Sequence, residues 1–450
     1  MTSLSTPAMP PDAGSSPEAV HRFLLVFVNV KASEIAALGW AWLYFFCVLS
    51  SYYVIRPIRD EAGVASGVEN LSWLFTATLV GMMVVNPAFA ALASRLTRRR
   101  FISWTYRFFV VNLVAFLLAM RFIPEANQIW VGRVFFVWVS VFNMFVVSIF
   151  WATLVDLFTR EQSKRLFGFI AAGATIGAIF GSGVTAALVS MVGAGNLLIV
   201  SAVLLELAVR AFTRLASAAS AGEAADRALR QEQPIGGTAW SGVTQLLRSP
   251  YLLGICAYMV LFTTLTTFLY FQQAQIVDGA ITDRTARTEF FAQVNLAVNV
   301  IALVVQTTLT GRIVRWLGVA LTLAILPAMT VMGFVLLGLM PTVAVIVGFQ
   351  VLRRAGEFAL ARPAREILFT TVSREEKYKA KSLIDTFVYR VGDQVGAWSY
   401  SLMGMAGLGV AGVAWAAVPL SLIWLVNGWR LGRRQDAMAS ADEREGVARD

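Results

Sequence analysis

The sequence holds little of what soluble catalysis is built from. One histidine (His21) and two cysteines (Cys47 and Cys256) stand in 450 residues. Both cysteines fall inside apolar runs, which argues against a disulfide or a thiolate metal site. The histidine precedes the first long apolar run, so metal hydrolysis and histidine proton relays have little to stand on. No nucleophile–base pair, metal-ligand spacing or phosphate-cradling glycine loop stands out, so neither an enzyme nor a bound cofactor or metal is expected. Charge is also scarce, at 14% of residues. What fills the space is apolar: 58% of the chain is hydrophobic and the mean hydropathy is +0.68. A soluble domain of that balance would aggregate, which makes this an all-α polytopic membrane protein.

Apolar stretches long enough to cross a bilayer occur at about 34–56, 69–95, 101–122, 128–157, 164–192 and 196–213. They recur at about 250–274, 286–311, 317–340, 342–370, 378–404 and 409–430, giving twelve spans by the criterion of roughly 20 apolar residues. The net charge of +10 does not point to nucleic acid, because many Lys and Arg residues sit in short loops on one side of these spans. Those loops are SRLTRRR (94–100), TREQSKR (159–165), GRIVR (311–315), REEKYKAK (374–381) and WRLGRR (429–434). The positive-inside rule then places both termini in the cytoplasm, and the inner (plasma) membrane is the expected location. Residues 1–32 read as a polar tail followed by an interfacial helix at Phe23–Val30, rather than a cleaved signal.

The segment 214–248 is the one long polar interruption. It separates a six-helix bundle at 33–213 from a second at 249–431, with a cytoplasmic tail at 432–450. The halves echo each other: Leu157-Phe158-Thr159 recurs as Leu368-Phe369-Thr370. Arg95 and Arg98 match Arg312 and Arg315 at one shared offset of 217 residues. Two parallel six-helix pseudo-repeats are the architecture of major facilitator transporters.

Charges inside the spans carry the functional reading. Each costs about 2.5–3.5 kcal/mol at a lipid-facing midplane position, so each must face a partner, a water-filled cavity or a charged substrate. In SYYVIRPIRDE (51–61), Tyr52, Arg56, Arg59 and Asp60 share a helical face, with Tyr53 beside them. Guanidinium forks next to tyrosine rings suit planar or phosphorylated anions. The bland counterpart is an aromatic belt with arginines snorkelling to the interface, a reading that weighs equally for Arg59. Span ten carries Gln350, Arg353, Arg354 and Glu357; span eleven carries Asp385, Tyr389, Arg390 and Asp393. These charges balance, so a self-neutralised network holding two helices in register is the competing account. Arg133 adds to the positive excess that favours an anionic ligand. Asn143, Gln273, Asn295 and Asn299 are candidates to hydrogen-bond a nucleobase or sugar, or they are interhelical glue. Asp156 with Arg160, and Glu366 with Arg362 and Arg365, lie near cytoplasmic helix ends, where ion pairs between halves would hold a gate shut. Gly173, Gly177 and Gly181 let span five approach a neighbour closely, with a hinge as the alternative.

Three stretches together resemble the nucleotide (ATP/ADP) transporter family, related to the major facilitators, and suggest a bacterial branch of it. They are YYVIRPIRDE (52–61), LFTREQSKRLFGFIAAGATIGAIFGSG (157–183) and KYKAKSLIDTFVYRVGDQVGAW (377–398). The resemblance implies exchange of nucleoside triphosphate for diphosphate through basic residues in the membrane. Arginines stand in the first-span motif, RPIRD, where that family tends to place a lysine. The expectation is a monomeric alternating-access carrier in the lipid bilayer. Its ligand is a small organic anion, a nucleotide or another phosphorylated metabolite, moved by exchange. Proton-coupled anion transport, with Asp385, Asp393 or Glu357 titrating, and a non-transporting scaffold or sensor are the competing readings.

Overall fold

The computed structural model describes residues 28–220, 249–370, 381 and 383–447. Most of the proposed polar tail and interfacial helix, and residues 221–248 of the central linker, lie outside them. Twelve helices run through the described residues. The first half comprises α1 (Ile35–Ala65), α2 (Leu71–Arg95), α3 (Arg98–Phe122), α4 (Glu125–Leu157), α5 (Arg160–Val192) and α6 (Ala194–Ser220). The second comprises α7 (Pro250–Ala280), α8 (Arg284–Thr308) and α9 (Thr310–Leu339), then three interrupted or terminal helices. Of these, α10 runs over Val343–Gly356, continues through a π-helical segment at Glu357–Ala361 and ends as Arg362–Ile367. A second π-helical segment, Ile384–Val388, leads into α11 (Tyr389–Met405), and α12 is Val410–Val447.

Ten of the helices are continuous and apolar enough to cross a membrane. The exceptions, α10 and α11, carry internal charges, as α1 also does, but are cut short by the π-helical segments. Helix starts are written in the sequence. Thr159 and Gln162 form a capping box on α5, and the side chains of Ser249, Asp283 and Thr342 accept from backbone N–H groups in the first turns of α7, α8 and α10, as polar N-caps do.

Each half has its own apolar core. The first gathers Tyr44, Tyr106, Phe142, Phe150 and Phe212; the second gathers Tyr258, Phe262, Phe268, Phe334 and Trp424. The glycine spacing in span five serves packing. A Cβ at Gly177 or at Gly181 would lie 2.4 Å from the carbonyl oxygen of Phe46 or of Ser50 on α1. The second half repeats the device, with Gly392 and Gly396 of α11 pressed on Thr263, Thr264 and Thr267 of α7. Gly181 and Gly392 are separated by 211 residues, as are Leu157 and Leu368. Each half thus joins its first and fifth spans through the same close contact.

Several boundaries differ from the sequence reading: α6 runs on to Ser220 and α12 to Val447, into segments read as linker and tail, and α7 reaches Ala280. The first span does not stop near Arg56 but continues to Ala65. An apolar window ends at the first charges, whereas the helix runs on because those charges are turned inward, with Asp60 and Glu61 buried and paired. Arg56 therefore lies nine residues from the far end of α1, roughly 14 Å at the helical rise. Arg354 sits at similar depth, about 17 Å from the start of α10.

Candidate functional site

A cavity of about 1470 Å³ lies between the halves. Its walls come from α1, α2, α4 and α5 on one side and from α7, α8, α10 and α11 on the other. It extends toward Trp151, Gln306 and Arg362, that is, toward the helix ends that carry the basic loops. At the opposite ends the halves close on each other. There Arg284 of α8 grips Glu61 of α1 with two hydrogen bonds, Nε to Oε1 at 2.7 Å and Nη2 to Oε2 at 3.1 Å. On α2, Thr76 donates to Gln394 at 2.9 Å and accepts from Trp398 at 3.1 Å. The rings of Trp73 and Trp398 meet edge-on nearby.

The first-span motif forms one charged wall. The Arg56 guanidinium lies 5.9 Å from the Tyr52 ring and 5.4 Å from the Tyr53 ring, and donates to the Tyr53 hydroxyl. Its pairing with Asp60 is loose, at 3.8 Å, and its Nε has no hydrogen-bond partner. Asp60 is held instead by Arg59 at 2.8 Å and by the Tyr270 hydroxyl at 3.2 Å. Arg59 also donates to Ser140 and stacks 3.9 Å from the Phe136 ring. It faces a smaller adjoining cavity of about 220 Å³, shared with Asn143, Tyr389, Arg390 and Asp393. Arg59 is therefore no snorkelling interfacial residue.

Opposite this wall, α10 presents Arg354. Its Nη1 donates to Asn295 Oδ1 at 2.9 Å, while its Nη2 is buried without a partner. It lies within electrostatic reach of Arg56, Tyr53, Asp60 and Tyr52 on the facing half. Gln350 donates to Gln273 at 2.6 Å, and Asn299 donates back to the Asn295 carbonyl; all four amides line the cavity. Glu357 and Asp385 also line it, each from a π-helical segment, and neither forms an ion pair among the described residues. Arg390 pairs with Asp393 at 3.1 Å. In the larger cavity four guanidinium groups (Arg56, Arg354, Arg362 and Arg390) stand against three carboxylates (Asp60, Glu357 and Asp385).

Several expected residues lie elsewhere. Arg353 is fully buried against α7, where it donates to Thr266 Oγ1 and to the Phe262 carbonyl and lies 5.3 Å from the Phe262 ring. Adjacent helical positions point about 100° apart, so only one of the two neighbouring arginines reaches the cavity. Arg133 donates to the Ser66 carbonyl and stacks on Trp130, also away from the cavity. Glu366 does not pair with Arg362 or Arg365. It pairs with Lys381, which precedes α11 in the same half. Arg365 contacts the Met259 sulfur at 3.2 Å, and Arg362 lines the cavity. Asp156 is exposed at the end of α4, and the Arg160 side chain lies outside the described residues. The cavity extends to this end, and Glu366 is paired within its own half. An ion pair that joins the halves, Glu61–Arg284, sits at the other end.

A family model described as Major Facilitator Superfamily matches residues 36–392. The chain belongs to that superfamily. No curated protein matches the sequence. Among solved structures, it is similar to a POT family transporter in complex with 5-aminolevulinic acid, at 12% identity and a TM-score of 0.62, covering 88% of this chain and 96% of the other. It is similar to a D-xylose-proton symporter at 12% identity and a TM-score of 0.61, covering 88% and 97%. It is also similar to a bacterial homologue of the iron transporter ferroportin in its inward-facing state, at 12% identity and a TM-score of 0.59, covering 90% and 99%. At such identities the likeness concerns the fold: twelve helices in the two-repeat layout of the superfamily. The fold and the family make this a multi-pass membrane protein with the architecture of a secondary transporter.

Proposed function

We propose that this major facilitator carries an organic anion, a nucleotide or another phosphorylated metabolite, by exchange. One observation carries the reading. Arg56 and Arg354 face each other from opposite halves, each with a buried N–H that nothing satisfies. Unmet guanidinium donors in a low-dielectric chamber are costly, and phosphate or carboxylate oxygens are the groups that match their geometry. Tyr52, Tyr53 and the amides of Gln273, Gln350, Asn295 and Asn299 offer ring faces and hydrogen bonds for the rest of an organic anion. A ligand touching both arginines would draw the halves together around it, the step alternating access requires. Return without cargo would carry the unmatched guanidiniums through the closed state, so empty return is slow and exchange is favoured. With both termini cytoplasmic, as the basic loops imply, the cavity faces inward and both arginines lie deep within it.

The test is uptake of labelled nucleotides, sugar phosphates and dicarboxylates into proteoliposomes with and without unlabelled anion inside. Uptake that requires the internal anion, and that Arg354→Ala abolishes in protein that remains folded, is the expected result. Equal uptake of a neutral sugar, or full activity of the variant, would remove the anion reading.

The unpaired cavity carboxylates, Glu357 and Asp385, favour a second reading, in which the anion moves with protons that titrate one of them. An imposed pH gradient separates the two. Accumulation driven by the gradient into vesicles lacking internal anion belongs to proton coupling alone.

A further inference from the structure

The outer wall of the first half carries charge where bare hydrocarbon would meet it. Arg107 of α3 reaches Glu206 of α6 with two contacts, Nη2 to Oε1 at 3.3 Å and Nε to Oε2 at 3.4 Å. Arg210, one turn along α6, approaches the same carboxylate at 3.8 Å. The arginine side chains are 59% and 73% exposed. They do not face the cavity between the halves, and the apolar surface around them is bare: Trp104, Phe108, Val111, Ile199, Val203 and Leu207 are all exposed. This is a surface that meets acyl chains.

Placement along the helices sharpens the point. Arg107 stands seven residues into the span from Arg100, roughly 10 Å. Arg100, Trp104 and Arg107 follow one face of α3, and Glu206, Arg210 and Arg214 follow one face of α6 at one-turn intervals. The row descends toward the basic-loop end, within snorkelling distance of the headgroups of that leaflet. Arg214 is exposed and makes no ion pair among the described residues. Two guanidinium groups thus share a single carboxylate and a third stands one turn beyond them, leaving an excess of positive charge at the level where phosphodiesters begin.

We propose that the α3/α6 face binds an anionic phospholipid of this leaflet. The phosphodiester is held by Arg107, Arg210 and Arg214, and the acyl chains lie along the apolar groove between the two helices. Glu206 orients Arg107 and Arg210 and competes with the phosphate for them. The site is separate from the transport cavity and does not depend on the cargo. Charge complementarity selects the occupant, because basic pockets between membrane helices take acidic headgroups, whereas a zwitterionic headgroup would leave the excess charge uncompensated.

The test uses the full chain purified in detergent. Phosphatidylglycerol or phosphatidylcholine is titrated in, with bound lipid read by native mass spectrometry and stability by thermal unfolding. Phosphatidylglycerol should be retained and should raise the melting temperature, while phosphatidylcholine should not. Arg107→Gln with Arg210→Gln should weaken phosphatidylglycerol binding about tenfold or more. Glu206→Gln should strengthen it, since the competing carboxylate is gone. That opposite sign is a readout that mere loss of packing cannot produce, and it serves if the double variant folds poorly. Equal retention of the two lipids, or unchanged affinity in Glu206→Gln, would overturn the proposal. Equal stabilisation by inorganic phosphate would assign the site to free phosphate instead, and a lipid-independent dimer lost in the double variant would assign it to a second copy of the chain.

Discussion

Arg353 and Arg354 are neighbours whose guanidinium groups meet opposite surroundings. Arg353 is packed among α7 side chains with Nε and Nη1 unsatisfied, and Arg354 faces the cavity beside Asn295. Arg353→Met should leave anion affinity nearly unchanged, because it exchanges a buried cation for a chain of similar length, a swap that is often neutral or stabilising. Arg354→Met should abolish anion-induced thermal stabilisation; melting curves of both variants across an anion titration check this. Both arginines were legible in the sequence as charges too deep to face lipid. Which of them faces the cavity was not, because a polar residue on either flank left the helical phase open by one position. Glu61 and Arg284 show a different blind spot. They lie 223 residues apart, and nothing local marks either as the other's partner. Glu61 is only 6% exposed, while Arg284 is about half exposed. Arg284→Gln therefore leaves a buried carboxylate short of its ion pair. That change should loosen the closed end, raising severalfold the labelling of a cysteine placed at Thr76 by a membrane-impermeant thiol reagent, an effect of about 1–3 kcal/mol for a buried group left unmatched. Unchanged labelling would mean the tryptophan contacts hold that end without it.

At the scale of the elements, the twelve spans followed from apolar length, but several helices run past their apolar windows, α1 through its buried charges and α6 and α12 into polar sequence. The four-residue glycine spacing of α5 also gave its packing role directly, since small residues at that interval let backbones touch. Gly177→Val should destabilise the first half by about 1–3 kcal/mol, the usual cost of overpacking, because a Cβ there meets the Phe46 carbonyl at 2.4 Å. Gly168→Ala, on the same helix with nothing within 4 Å, should be neutral or slightly stabilising. Thermal unfolding of the two variants side by side checks the contrast. The π-helical segments at Glu357–Ala361 and Ile384–Val388 had no signature in the sequence. An extra residue in a helical turn depends on what packs around it, and such bulges gather at functional sites. Here both present a carboxylate to the cavity.

For the whole molecule, a weak internal repeat and the polar break at 214–248 were enough to anticipate two six-helix halves. The direction in which the cavity extends was not readable, because the two ends differ through contacts between distant segments. The chemical character of the cavity was readable in outline. Its basic groups are arginines throughout, and a guanidinium stays charged at any physiological pH. With five such groups against four carboxylates across the two adjoining cavities, an unladen carrier that swings between its two faces has a fixed positive excess in the membrane field. Each elementary charge moved through the full field is worth about 2.3 kcal/mol per 100 mV. A potential negative on the basic-loop side would hold the resting carrier with its mouth toward that side, and a divalent cargo would reverse the sign of the moving charge. Voltage would then choose which way the unladen protein waits, and cargo would choose when it turns.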